Sequence, residues 1–278
     1  WPQSVFGAWL NGTKLDLPRD DGSDEISMAT TCAGRCWLSI VAVGLLATVA
    51  NAHDMADSAA ALLRNQQEPT RVAARYVVTV ERASKGQAPN TQQHTWYFYR
   101  DAHQVALLKG NVDEVWYRDA HDRISFERVF HDDARVVDYS TGELATLQVN
   151  ADWAALSRFV DPAELAQLKL VSKQGKGREA QWHLRGRVGK EQLDVVWLPA
   201  LELPQRLTRH VAGASTVQMQ LVATAKSPQP DWPVVDEKSA NYLHIDAADF
   251  GDMDYDPVVR KSEALDMRLG WRASHKHD

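Results

Sequence analysis

From residue 71 onward the sequence alternates. In residues 71–81, Tyr76, Val78 and Val80 interleave with Val77 and Thr79, the period of two that a strand produces because successive side chains point to opposite faces. The same pattern, or a short run apolar on both faces, returns at 95–100, 104–109, 112–118, 123–130, 135–139 and 144–149, and again at 168–173, 180–186, 192–198, 205–211 and 216–223. Turn-forming clusters separate these runs: residues 86–90, Lys109-Gly110-Asn111, residues 119–122 and Ser140-Thr141-Gly142. Midway the period lengthens. Residues 151–159 and 162–168 read as two short helices, the second opened by Asp161-Pro162-Ala163-Glu164: a capping carboxylate, proline at the first helical position and glutamate three residues after the cap. Residues 56–65 predict a further short helix ahead of the first strand, and residues 257–269 another near the end.

Eight to eleven strands interrupted once by a helical pair predict a mainly β (α+β) fold, a strongly curved antiparallel sheet or half-barrel with a few packed helices. Trp96 and Phe98 alternate with Tyr97 and Tyr99, and Val195 and Trp197 with Val196 and Leu198. A sheet wetted on one face should be polar there, so either both faces are covered or the sheet encloses a lined interior.

The N-terminal region has a different character. Residues 28–52 read as a secretion signal: Arg35 in a short basic region, an uncharged run over 36–50, and Ala50-Asn51-Ala52 as the small-residue cleavage site. The run is shorter than the roughly 20 residues a membrane-spanning helix needs; an uncleaved anchor and a buried core helix are the competing readings. Residues 1–27 precede the first methionine, hold no periodic apolar pattern, and are expected to be a non-native extension. Both cysteines, Cys32 and Cys36, fall inside the signal, so a chain starting at His53 has neither a disulfide nor a thiol. Residues 1–52 hold three of the 31 Lys and Arg and five of the 37 Asp and Glu, leaving a net charge of −4 from His53 onward. That balance gives no footprint for nucleic acid or for an anionic membrane surface, and no stable membrane span remains after cleavage. The expected organisation is a β-sheet domain over 53–225, then a proline-rich linker and an acidic, helical tail over 226–278.

The stretch Asp194-Val195-Val196-Trp197-Leu198-Pro199-Ala200-Leu201-Glu202-Leu203-Pro204, with the alternating hairpin that follows to Leu221, resembles the periplasmic outer-membrane lipoprotein carrier-like (LolA/LolB-like) superfamily. The layout of residues 56–223 is similar to that family as well. The resemblance implies a half-barrel whose helices lid a concave face, a periplasmic location in a Gram-negative source, and binding of an acyl chain, a lipoprotein or an envelope partner's exposed segment. It assigns no residue. From the apolar pattern itself, Trp96, Phe98, Trp116, Phe126, Trp182, Val196 and Met219 are the candidates to line such a face; the other reading is that they fill a closed core.

Asp252, Asp254, Asp256 and Glu263 stand at positions 1, 3, 5 and 12 of a calcium-loop spacing. Pro257 replaces the glycine such a loop needs, and Arg260 stands where an oxygen ligand belongs, so the competing reading is Asp256 capping a helix that begins at Pro257. His275 and His277 form a terminal His-x-His pair, and His121, His131, Asp132 and Asp133 a second polar cluster. Nucleophile-elbow, phosphate-loop and zinc-protease motifs are absent from the sequence. The expectation is a non-enzymatic binding protein without a cofactor, holding a hydrophobic ligand or an envelope partner. A metal-binding tail and an uncharacterised hydrolase are the alternatives.

Overall fold

The computed structural model describes residues 70–83, 89–234 and 239–272. The expected leader, signal and first helix, and the His275/His277 pair, lie outside the described residues. Twelve strands form a single curved sheet: β1 (Val72–Arg82), β2 (Asn90–Arg100), β3 (Gln104–Leu108), β4 (Val112–Arg118), β5 (Ile124–Phe130), β6 (Arg135–Tyr139), β7 (Lys169–Gln174), β8 (Gln181–Val188), β9 (Glu191–Leu198), β10 (Leu203–Val211), β11 (Ser215–Ala225) and β12 (Leu243–Asp246). Their order is β12-β6-β5-β4-β3-β2-β1-β11-β10-β9-β8-β7. The described strands thus start at the centre, meander out to β6, cross to the far edge at β7, and meander back until β11 pairs with β1. Every pairing is antiparallel except β12 with β6, which is parallel.

The crossing carries three short helices, α1 (Thr141–Thr146), α2 (Trp153–Leu156) and α3 (Pro162–Ala166), and α4 (Pro257–Arg268) follows β12. The strand expected at 144–149 is a correction: its first residues belong to α1. Ser140 and Glu143 form a reciprocal capping box, the serine Oγ accepting from the Glu143 amide and the Glu143 carboxylate accepting from the Ser140 amide. That satisfies two otherwise orphaned helix donors and overrides a weak alternation. Asp161 caps α3 ahead of Pro162, and Asp256 caps α4 ahead of Pro257, as their local signals require.

Both faces of the sheet are covered over part of its width. The inner face carries the main core, where Tyr76, Phe98, Trp116, Phe126, Leu207, Met219 and Trp197 pack under the helices. On the outer face, Ala106, Leu108, Val115, Val129 and Val136 form a second apolar layer with Tyr97 and Tyr99. Trp232 lies over those tyrosines, its ring 5.6 Å from Tyr97 and 6.4 Å from Tyr99, and Tyr99 donates to the Pro233 carbonyl at 2.6 Å. This explains a strand apolar on both faces. The segment after β11 runs along the outside, adds β12 at the edge, and returns Phe250, Val258, Val259, Leu269 and Trp271 to the inner core.

Candidate functional site

The inner face is mainly aromatic and aliphatic. Trp96, Phe98, Trp116, Phe126 and Met219 all point onto it and are buried. Trp182, paired with Trp197 across β8 and β9, shares that face at its rim and is half-buried. Val196 alternates with the buried Val195 and Trp197, so it stands on the outer face, beside His183. Strand pleating therefore separates Val196 from the other six, a distinction that a run apolar on both faces conceals.

Two inserts cover this surface. At the centre, Phe159, between α2 and α3, packs onto the inner face of β1 and β2 with its ring 4.4 Å from Phe98 and 5.2 Å from Tyr76. Its φ of +65° lies in the left-handed region, an outlier for a bulky side chain that persists only when its surroundings hold it. Toward the β6 edge, Trp271 stands edge-on to Trp116 (5.9 Å), Phe126 (5.5 Å) and Tyr139 (6.1 Å), with Trp116 stacked on Phe126 at 4.3 Å. Edge-to-face geometry at these separations is the favoured aromatic arrangement.

Three buried arginines on the strands tie the inserts to the sheet, each at an inward position where an apolar residue is expected. Arg128 follows Phe126 on β5 and is fully buried. Its Nη1 lies 2.9 Å from Asp266 Oδ1, 2.7 Å from Ser262 Oγ and 3.0 Å from the Tyr139 hydroxyl, so one guanidinium nitrogen docks α4. Tyr139 in turn donates to Asp266 Oδ2 at 3.0 Å. Burial works against the Arg128 charge, but Tyr139, Asp266 and the cross-strand Glu114 outweigh it and hold its pKa above the ordinary value. For Tyr139 burial dominates and pushes the phenol up to about 12. Arg128 Nε and Nη2 and Glu114 Oε2 have no hydrogen-bond partner among the described residues; rings of Phe126, Tyr139 and Trp271 lie 5.2–5.5 Å from the guanidinium and stabilise it by cation–π attraction.

Arg100 follows Trp96 and Phe98 on β2. Its guanidinium donates to the carbonyls of Thr70 (3.0 Å), Ser157 (2.5 Å) and Leu201 (2.7 Å), clamping the end of α2 against the β9–β10 turn. Burial among these neutral acceptors lowers its pKa to about 10. Arg209 on β10 pairs with Glu164 of α3 at 2.8 Å and with Glu191. Sequence reading missed all three. The available signal was a cation in phase with inward apolar positions: Phe126-x-Arg128-x-Phe130, Trp96-x-Phe98-x-Arg100 and Leu207-x-Arg209.

In the acidic tail, two of the four calcium-loop candidates have partners within the fold. Asp256 Oδ1 accepts from the Val258 amide at 2.7 Å, and Glu263 pairs with Arg272 at 3.2 Å. Asp252 ends a 3-10 turn (Ala247–Asp252), and Asp254 lies in the loop that follows. His131 contacts Asp113 (2.7 Å) and the Tyr242 hydroxyl (3.2 Å), while Asp133 pairs with Lys261. Among the described residues no group of three His, Cys, Asp or Glu side chains is placed to hold a metal ion. No helix among them is long and apolar enough to cross a membrane.

The sequence matches no protein-family profile and no curated protein. Among solved structures it is similar to PNGF-II (14% identity over 66% of this chain and 33% of that one, TM-score 0.34) and to MucB (14%, 68% and 62%, TM-score 0.31). A LolA superfamily protein from Nitrosomonas europaea is also similar (11%, 65% and 95%, TM-score 0.21). The chain spans about a third of PNGF-II. The likeness to the lipoprotein-carrier superfamily is one of fold alone, and no residue's role passes to this chain from it.

Proposed function

We propose that this chain is an exported, non-enzymatic binding protein that takes a hydrophobic ligand, an acyl chain or the apolar segment of an envelope partner, on the inner face of its sheet. One observation carries the reading. The aromatic surface of β4, β5 and β6 is covered by a separate C-terminal segment, α4 and the Trp271 that follows it, that docks through Val258, Val259, Leu269 and Trp271 and one buried ion pair rather than by strand pairing. In this reading the ligand exchanges with that segment, and α4 marks the volume and chemistry the ligand would take. Burial of apolar area at about 25 cal/mol per Å² provides the driving force. A cleaved signal at 28–52 would place the protein in the periplasm of a Gram-negative cell.

The test is titration of the whole protein with oleate and with lysophosphatidylcholine below its micelle concentration, followed by tryptophan fluorescence and thermal unfolding. The reading predicts saturable binding and stabilisation of about 2.7 kcal/mol at a ligand concentration one hundred times Kd. It is overturned by unchanged fluorescence and midpoint with both ligands, together with lipid-free protein on mass spectrometry after purification from the exporting cell.

A further inference from the structure

Among the described residues the outer face of β8, β9 and β10 is not covered by the segment that lies over β2–β6, and its chemistry differs from the rest of the molecule. Two rows of side chains cross these strands, Arg185–Asp194–Thr208 and Arg187–Gln192–His210, as the strand registers require. Between them lies a groove of about 490 Å³ floored by the backbone at Gly186 and Leu193. Asp194, the carboxylate in the groove, is already matched. Its oxygens lie 2.7 Å from Arg185 Nε, 3.0 Å from His183 Nε2 and 3.6 Å from Arg206 Nη2. Burial pushes Asp194 up, but hydrogen bonds from Arg185 and His183 and their charges outweigh it and hold the carboxylate below its usual range.

The second row, with Thr208 from the first, is left with unused donors. Among the described residues the side chains of Arg187, Gln192 and Thr208 make no hydrogen bond or ion pair, and His210 uses Nδ1 on Thr216 (2.9 Å), leaving Nε2. The surrounding charge is lopsided as well. Residues 169–226 hold ten Lys and Arg against four Asp and Glu, in a chain whose net charge is −6. A positive field over an open groove concentrates anions there, and the guanidinium fork matches the spacing of phosphate oxygens.

We infer that this groove is a phosphate-binding site, with Arg187, Gln192, Thr208 and His210 donating to the oxygens of a phosphate monoester and the Arg185–Asp194 pair bounding it. The oxygens of a tetrahedral dianion suit four donors spread over two rows and three strands better than the two of a carboxylate. The monoester has two possible sources, a soluble metabolite or the headgroup of an anionic lipid such as phosphatidic acid. The site is on the opposite face from the proposed apolar site and stands or falls separately from it.

The test uses the full chain. Glycerol 3-phosphate is titrated by calorimetry, and sedimentation is measured with phosphatidylcholine vesicles with and without phosphatidic acid. Arg187→Gln and His210→Gln, both on an outer strand face, serve as the variants, with thermal unfolding to show that each folds. The expected result is saturable glycerol phosphate binding that weakens by about tenfold or more in Arg187→Gln, as loss of a charge-assisted hydrogen bond requires, and by a smaller factor in His210→Gln. Co-sedimentation with phosphatidic acid vesicles, competed by glycerol phosphate, identifies a headgroup; soluble binding without co-sedimentation identifies a metabolite. Absence of binding in both arms, or wild-type affinity in folded Arg187→Gln, overturns the inference.

Discussion

Asp266→Ala is the sharpest probe of how α4 is held. The carboxylate is completely buried and receives Arg128 Nη1 (2.9 Å), the Tyr139 hydroxyl (3.0 Å) and Arg272 Nε (3.3 Å). Removing it leaves the Arg128 guanidinium in place, with Glu114 as the remaining nearby carboxylate; Glu114 is itself paired with Lys109 at 2.9 Å. A pair of unit charges about 4 Å apart interacts by roughly 4 kcal/mol at an effective dielectric of 20, and breaking one side of a buried pair typically costs about 3–5 kcal/mol. Val258, Val259, Leu269 and Trp271 still bury their side chains, so α4 stays docked but opens more often. The assay is native-state hydrogen exchange across residues 257–269, with urea unfolding alongside. The opening free energy of α4 should fall by about 3–5 kcal/mol, while Arg128→Met/Asp266→Leu should recover most of the loss because both members of the pair leave together and Glu114 keeps Lys109. Exchange in α4 accelerated by less than about tenfold, corresponding to 1.4 kcal/mol, would refute the reasoning, as would a double variant no better than Asp266→Ala.

Other expectations follow from the packing. Phe159→Ala removes the ring packed on Tyr76 and Phe98 without relieving the positive φ, and urea unfolding should register a loss of about 3–5 kcal/mol. Trp232→Ala uncovers Tyr97 and Tyr99 and should cost a similar 3–5 kcal/mol, with loss of near-ultraviolet dichroism; a loss below 1 kcal/mol would mean the outer segment is not part of the cooperative fold. Gly175 has φ +68°, and a Cβ there would meet the Glu179 carbonyl oxygen at 2.3 Å, so Gly175→Ala should destabilise by more than about 1 kcal/mol in the same assay. Because Asp194 titrates below its unfolded value, its contribution to stability is fully present above the unfolded pKa of about 3.9 and is lost as pH falls through the lower folded one. Arg185→Gln should raise the Asp194 pKa in a carbon-detected NMR titration and shrink that acid dependence.

The strands were legible because their faces are unequal in a simple way. Residues 112–118 and 135–139 were readable to their ends, since turn residues bound each run. α1 was misread: Leu144, Thr146 and Gln148 alternate weakly with their neighbours, and the stronger local fact, Ser140 three residues ahead of Glu143, was passed over as a turn. β12 left almost no pattern, because a four-residue parallel edge strand buries only Ile245. The role of the tail was hidden for a different reason. Trp232 sits in a proline-rich string and Trp271 in a charged helix's wake, and only tertiary contact shows that they cover opposite faces of one sheet. Among the candidate lining residues, pleating alone decides that Val196 faces outward, and no local pattern distinguishes it from Val195 when both are apolar. The three buried strand arginines read as ordinary charges until their phase with Phe126, Phe98 and Leu207 is compared.

Hydrogen exchange of the whole protein with and without saturating lysophosphatidylcholine tests the central claim most directly. If the ligand takes the inner face in place of α4, residues 257–269 exchange faster in its presence, while β4 and β5, still covered on that face, keep or gain protection. Saturation that leaves α4 protection unchanged or raised, or absence of any binding to the inner face, would contradict the account.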